Sequence, residues 1–186
     1  MLQIVIQGRG GQGAQTAGNL LAAAHFAAGR EVQCFATYGG ARRGTPVSSF
    51  IRVDERPVRV RCDIERADAI LCFDASLLAG ALLAAADAHT LIVVNSARGA
   101  DEFAATLPGR RVIPLDALAI SRRHGLGRIV NSALLGGLAR AVGAPALPVL
   151  EATLRERSPK LADENVAACA DGWHAVDAQL GVEATR

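Results

Sequence analysis

Apolar residues along the chain fall into two rhythms. Leu2 to Ile6 is a short apolar or amide run stopped by Gly8, too brief for a helix and read as a buried strand. Beyond the glycines, Ala14, Ala17, Leu20, Leu21, Ala24 and Ala28 recur at three- and four-residue spacing. That spacing predicts a helix from Gly13 to Ala28, with Gly29 as its left-handed cap. Val32 to Phe35 reads as a second strand. Strand, glycine turn, helix and strand in quick succession make a βαβ unit, whose right-handed crossover puts its two strands parallel in one sheet.

Further strands are predicted at Val47 to Val53, Val58 to Val60, Ile70 to Phe73, Leu91 to Val94 and Val112 to Ile113. The alanine- and leucine-rich stretch Ala75 to Ala86 predicts a helix that Asp74 can cap and Gly80 weakens. After Asp116 the strand pattern stops. Ala117 to His124, Ser132 to Val142, Leu147 to Arg157 and Val166 to Leu180 read as helices joined at Gly125, Gly127, Gly143, Pro145 and Pro159. Strands alternating with helices, then a helical remainder, predict an α/β fold with helices on both faces of the sheet and the last ones wrapping an edge. No repeat or low-complexity linker divides the chain, and one domain spanning residues 1–186 is expected.

Composition narrows the class. Apolar residues make up 51% and charged residues 20%, which is globular and excludes a disordered chain, a collagen repeat or a coiled-coil rod. Twenty basic against eighteen acidic residues leave a charge of +2, too little for the field a nucleic-acid-binding protein needs. With 4% aromatics there are almost no base-stacking surfaces either. The most apolar region, Ala75 to Val94, is broken by Asp87 and His89 and is not a membrane span. Leu2 to Ile6 lacks the pattern of a signal peptide. Cys34, Cys62, Cys72 and Cys169 are scattered without metal-ligand spacing, and the first three fall in or beside strand-like runs. Buried, reduced thiols in a cytoplasmic protein are expected.

Gly8-Arg9-Gly10-Gly11-Gln12-Gly13 satisfies G-x-G-x-x-G directly after a predicted strand and at the start of a predicted helix. Glycines let the backbone approach a phosphate without a Cβ in the way, and the amides at the helix start carry partial positive charge. The same glycines also suit a tight turn with a close helix contact. A plain NAD site needs Asp or Glu near the end of the second strand, where this chain has Phe35, Ala36 and Thr37.

A second cluster, Tyr38-Gly39-Gly40-Ala41-Arg42-Arg43-Gly44-Thr45-Pro46, follows that strand. Its two guanidiniums suit bidentate binding of phosphate or of a neighbour's carboxylates, and a solvated loop would look the same. His25, His89, His124 and His174 are isolated, and no nucleophile-base constellation is legible. Asp74 and Asn95 follow strands at the edge where such sheets bind ligands, and capping explains them equally.

Gly8-x-Gly-Gly-Gln-Gly13 followed by Thr16-Ala17-Gly18, then Tyr38-Gly39 with Arg42-Arg43-Gly44-x-Pro46-Val47-Ser48-x-Phe50-x-Arg52, resembles the gamma subunit of the 2-oxoacid:acceptor (pyruvate:ferredoxin-type) oxidoreductases. The resemblance continues through Arg56-Pro57-Val58-Arg59, Asp74-x-Ser76-Leu77, Val94-Asn95, and Asn131 with Leu135-Gly136, and fades beyond Gly143. It implies a Rossmann-like, mostly parallel sheet. It also implies one part of a larger enzyme that oxidatively decarboxylates a 2-oxoacid such as pyruvate, 2-oxoisovalerate, 2-oxoglutarate or phenylglyoxylate to an acyl-CoA. Thiamine diphosphate, magnesium and iron-sulfur clusters then belong to alpha, beta and ferredoxin-like delta partners, with a further electron-transfer subunit as an option. This chain would have no catalytic residue and no metal. It would help form the coenzyme A side through Gly8, Gly10, Gly11, Gln12, Gly13, Thr16, Tyr38, Arg42, Arg43 and Asn131. The competing expectations are a free-standing NADP- or nucleotide-binding module, with Arg42 and Arg43 on a 2'-phosphate, and a purely architectural chain.

Overall fold

The computed structural model describes residues 1–39, 44–158 and 160–183. Six strands form one sheet: β1 (Leu2–Arg9), β2 (Glu31–Tyr38), β3 (Pro46–Asp54), β4 (Ala69–Cys72), β5 (Leu91–Asn95) and β6 (Arg111–Leu115). Their order is β2-β3-β1-β4-β5-β6. β1, β4, β5 and β6 pair in parallel, while β3 is antiparallel to both β1 and β2. β1 and β2 therefore point the same way, as the βαβ unit requires, but they are not neighbours. A short connection from β2 obliges β3 to return antiparallel, and β3 fills the space between them. Its inner residues are buried on both faces, from Phe50 to Val53 without interruption.

Alternation along the central strands divides the core. Ile4, Ile6, Leu71 and Val93 face α1 (Ala14–Ala27), α4 (Ala117–Arg123), α5 (Asn131–Val142), α6 (Leu147–Arg157) and α7 (Ala162–Glu183). Val5, Ile70, Ile92 and Val94 face the opposite way, toward Leu82 of α2 (Gly80–Ala84) and Phe103 of α3 (Ala100–Thr106). Helices thus cover both faces, with the larger layer built from alanine and leucine. α5 and α7 pack backbone to backbone. A Cβ on Gly136 would overlap the Cys169 carbonyl, and one on Gly172 would overlap that of Ala133. Glycine at both places allows this approach.

Several expectations are corrected. Val58 to Val60 is not a strand. Pro57 and the alternating Arg56, Arg59 and Arg61 offer nothing to bury, and Val60 is 47% exposed. Cys62 consequently lies exposed and Cys34 is half-buried, whereas Cys72 and Cys169 are buried; all four are free thiols. Burial pushes the Cys72 thiol up to about 12. The helix expected over Ala75 to Ala86 is broken into a single 3₁₀ turn, Ala75–Leu77, and the short α2, because Gly80 adopts φ +51. Asp74 does cap the turn, accepting the Ser76 amide at 3.0 Å. α3 was not foreseen; its start is tied by the Gly99 amide donating to the Glu102 carboxylate at 3.2 Å.

Candidate functional site

The change of direction in the sheet lies between β1, from which α1 leads to one side, and β4, which begins the run to the other. Open α/β sheets bind ligands in the crevice beyond the carboxyl ends of strands at such a point. The Gly8–Gly13 loop forms one wall. Gly8 lies so near the first turn of α1 and the end of β4 that a Cβ there would stand 3.2 Å from the Cβ atoms of Ala14 and Phe73. Gly11 and Gly13 have φ +93 and +90, the left-handed region that favours glycine.

Inside the loop, side chains expected to face a ligand turn to the backbone instead. The Gln12 carboxamide oxygen accepts the Arg9 amide at 2.6 Å, and the Gln12 amide donates to the Arg9 carbonyl at 2.9 Å. The Asn131 Nδ2 donates to the Gly13 carbonyl at 3.2 Å, binding the start of α5 to the start of α1. The Gly10 amide donates to the Thr45 carbonyl at 2.9 Å, closing the loop from the β3 side. Gln12 and Asn131 are positioning residues here, and Gly10 spends its donor internally.

What remains faces outward. α1 has no side-chain cap and no acidic residue in its first turn. Its leading amides are therefore free of any internal anion. Gly11, Gly13, Ala14, Gln15 and Thr16, together with Tyr38 and Thr45, line an open cleft of about 390 Å³. The Tyr38 hydroxyl donates to the Gln15 side-chain oxygen at 2.7 Å and spans it from the end of β2. The structure thus gathers Gly8, Gly10, Gly11, Gln12, Gly13, Thr16, Tyr38 and Asn131 in one place. Arg42 and Arg43 lie outside the described residues.

A second wall is built on Asp74, whose pairing with Arg9 was not legible in the sequence. Arg9 Nε donates to Asp74 Oδ2 at 2.8 Å and its Nη2 to the Ser76 hydroxyl at 2.8 Å, joining the end of β1 to the turn after β4. Partial burial alone would raise the Asp74 carboxyl, but the Ser76 hydroxyl, the Arg9 guanidinium and the Ser76 amide together hold it below the ordinary carboxylate range. The available signal was a cation inside the glycine motif, at the last position of β1. Asn95, by contrast, donates to the Phe73 carbonyl at 3.2 Å and ties β5 to β4. Among the described residues no three His, Cys, Asp or Glu side chains are grouped to hold a metal ion. No described helix is long and apolar enough to cross a membrane.

A family model described as pyruvate ferredoxin/flavodoxin oxidoreductase matches residues 3–175. The chain belongs to this family. It is a gamma-type member: it is 33% identical to the subunit gamma common to the pyruvate/ketoisovalerate oxidoreductases of Pyrococcus abyssi, over 93% of this chain and 96% of that one. Among solved structures, the gamma-type chain is similar to the pyruvate oxidoreductase subunit PORC of Thermotoga maritima, with TM-score 0.81 and 28% identity over 93% of this chain and 95% of that one. Its fold also matches a 31% portion of 2-oxoglutarate:ferredoxin oxidoreductase from Magnetococcus marinus, with TM-score 0.77, 21% identity and 95% of this chain covered. That structure was determined with 2-oxoglutarate, coenzyme A and succinyl-CoA bound.

Proposed function

We propose that this gamma-type chain, acting as one domain, completes the coenzyme A side of a multi-subunit oxidoreductase that converts a 2-oxoacid to an acyl-CoA. The observation that carries the reading is the uncapped start of α1, with amides unopposed by any first-turn acid and facing an open cleft. A polyanionic ligand with a pyrophosphate fits such a donor set, since charge-assisted hydrogen bonds contribute about 1.5–3 kcal/mol each. Gly11, Gly13 and Thr16 would hold phosphate from the helix side, Tyr38 would border the site, and Arg42 and Arg43, which follow β2 in the sequence, would add charge. Coenzyme A supplies the thiol that accepts the acyl group. Gly8, Gly10, Gln12 and Asn131 contribute by fixing the loop.

Thiamine diphosphate, magnesium and iron-sulfur clusters are assigned to alpha, beta and delta-type partners. Four free thiols suit a cytoplasmic assembly. The relatives' names favour pyruvate or a branched 2-oxoacid as substrate, with 2-oxoglutarate and arylglyoxylates in the same chemical class. The free-standing NADP module gains less support. Dinucleotide sites use a second strand next to the first, whereas β3 here sets β2 two strand spacings, roughly 10 Å, from β1.

The test is Arg43→Ala in the assembled enzyme. An increased KM for coenzyme A with intact assembly supports ligand contact, and loss of assembly with unchanged KM in the residual complex contradicts it.

A further inference from the structure

The two edges of the sheet are finished differently. β6 is five residues long and carries Pro114, which has no amide hydrogen to offer; the Pro114 carbonyl is taken by the Gln179 side chain of α7 at 3.0 Å. Those are the usual ways of blunting an edge. β2 has neither. It is eight residues long, contains no proline or lysine, and carries Glu31 as its one charge. It pairs with β3 alone, and no backbone hydrogen bond from another described element reaches it. Every second residue of an antiparallel edge strand turns its N–H and C=O outward, so β2 presents an unused ladder.

A groove of about 480 Å³ follows that ladder, lined by Val32, Gln33, Cys34, Phe35, Val58 and Arg61. Successive strand side chains point to opposite faces. A groove touching four consecutive residues of β2 therefore runs along its edge, not over one face. Its outer wall is the exposed 56–61 segment, where Arg56, Arg59 and Arg61 have no carboxylate within ion-pair distance among the described residues, in contrast to Arg30 with Glu55 at 3.1 Å. Val60 stands 47% exposed on the same segment.

We infer that the free edge of β2 and the arginine-bearing 56–61 segment together dock an extended, acidic segment of another subunit, which adds to the sheet as a seventh strand. Main-chain pairing supplies affinity in such strand addition, and the flanking side chains supply selectivity. Three unpaired guanidiniums select carboxylates. They also oppose a second copy of this chain, because antiparallel pairing of β2 with β2 would bring both sets of arginines to one seam. β2 ends at Tyr38, so a strand laid beside it runs to the mouth of the glycine cleft. The inference rests on the chain being a subunit and not on the ligand proposed for that cleft.

Hydrogen exchange of peptides covering residues 31–38 tests it, compared between the isolated chain and the oxidoreductase purified with its natural subunits. About half of these amides are expected to exchange quickly in the isolated chain and at least 100-fold more slowly in the assembly. The double variant Arg59→Glu/Arg61→Glu is expected to keep the wild-type melting temperature and to bind its partner subunits at least tenfold more weakly at low salt. Equal exchange in both states overturns the inference, as does unchanged assembly of the variant. Protection that appears in the isolated chain together with dimerisation in sedimentation also overturns it, assigning the edge to a second copy. A change in the KM for coenzyme A bears on the cleft alone and moves none of these readouts.

Discussion

Arg9 and Asp74 meet at 2.8 Å across the crevice between β1 and β4, the point at which the sheet changes direction. Arg9 would otherwise be a free cation inside a phosphate-type loop. Its pairing leaves the backbone amides of α1 as the principal unopposed donors on that wall and fixes the angle between the loop and the turn after β4.

The pair is partly exposed, Arg9 by 40% and Asp74 by 28%, so its contribution is at the modest end, about 0.5–1 kcal/mol. Asn caps a turn about as well as Asp, so Asp74→Asn keeps the Ser76 cap while removing the charge and the oxygen that accepts from Arg9. The folded carboxyl lies below its unfolded value of about 3.9. Its stabilisation is therefore present above that pH and lost as pH falls through the folded value. Urea unfolding should show the variant less stable by up to about 1 kcal/mol at pH 7, with the gap closing as pH falls below the ordinary carboxylate range.

His25 is expected to make the fold acid-sensitive. It is 2% exposed, and its Nε2 has no hydrogen-bond partner. Burial, assisted by the Arg30 charge, lowers its pKa from 6.5 to about 4. The unfolded chain then binds a proton that the folded one refuses, so stability is full above about 6.5 and declines as pH falls toward 4. The loss amounts to something on the order of 3 kcal/mol. His25→Leu should flatten this slope in denaturant titrations between pH 7 and pH 4 without lowering stability at pH 4; a retained slope would assign it elsewhere.

Gly136→Ala should separate α5 from α7. The added methyl overlaps the Cys169 carbonyl, and backbone cannot swing aside as a long side chain can. A loss of at least about 3 kcal/mol, or failure to accumulate folded protein, is expected from thermal unfolding. Gly29→Ala is the control: it is strained by φ +77 but meets nothing within 4 Å, and should cost about 1 kcal/mol.

Much of this was legible in the sequence where local pattern and tertiary demand agree. The bounds of α6, Leu147 to Arg157, are legible because its apolar spacing and the flanking Pro145 and Pro159 in the sequence leave few options. The glycine motif was legible because a strand before it and a helix after it constrain its geometry. Strand order was not, since periodicity reports that β3 is buried but not that it lies between β1 and β2. Val58 to Val60 misled because β-branched residues imply a strand only where they have something to bury against, and Val60 is exposed. The inward turn of Asn131 was hidden for a related reason: its partner Gly13 lies 118 residues away in sequence. The Arg9–Asp74 pair spans sixty-five positions, and its local sign is no more than an arginine inside the glycine motif.

The most direct measurement of the central claim places a carboxylate where the proposed phosphate sits. Thr16 is the third residue of α1, exposed and lining the cleft, and an acid at that position favours a helix N-terminus. In the assembled oxidoreductase, Thr16→Glu should leave the melting temperature unchanged or raised and the subunits together, while the KM for coenzyme A rises at least tenfold and kcat at saturating coenzyme A stays within twofold. An unaltered KM in a folded, assembled variant would contradict the account.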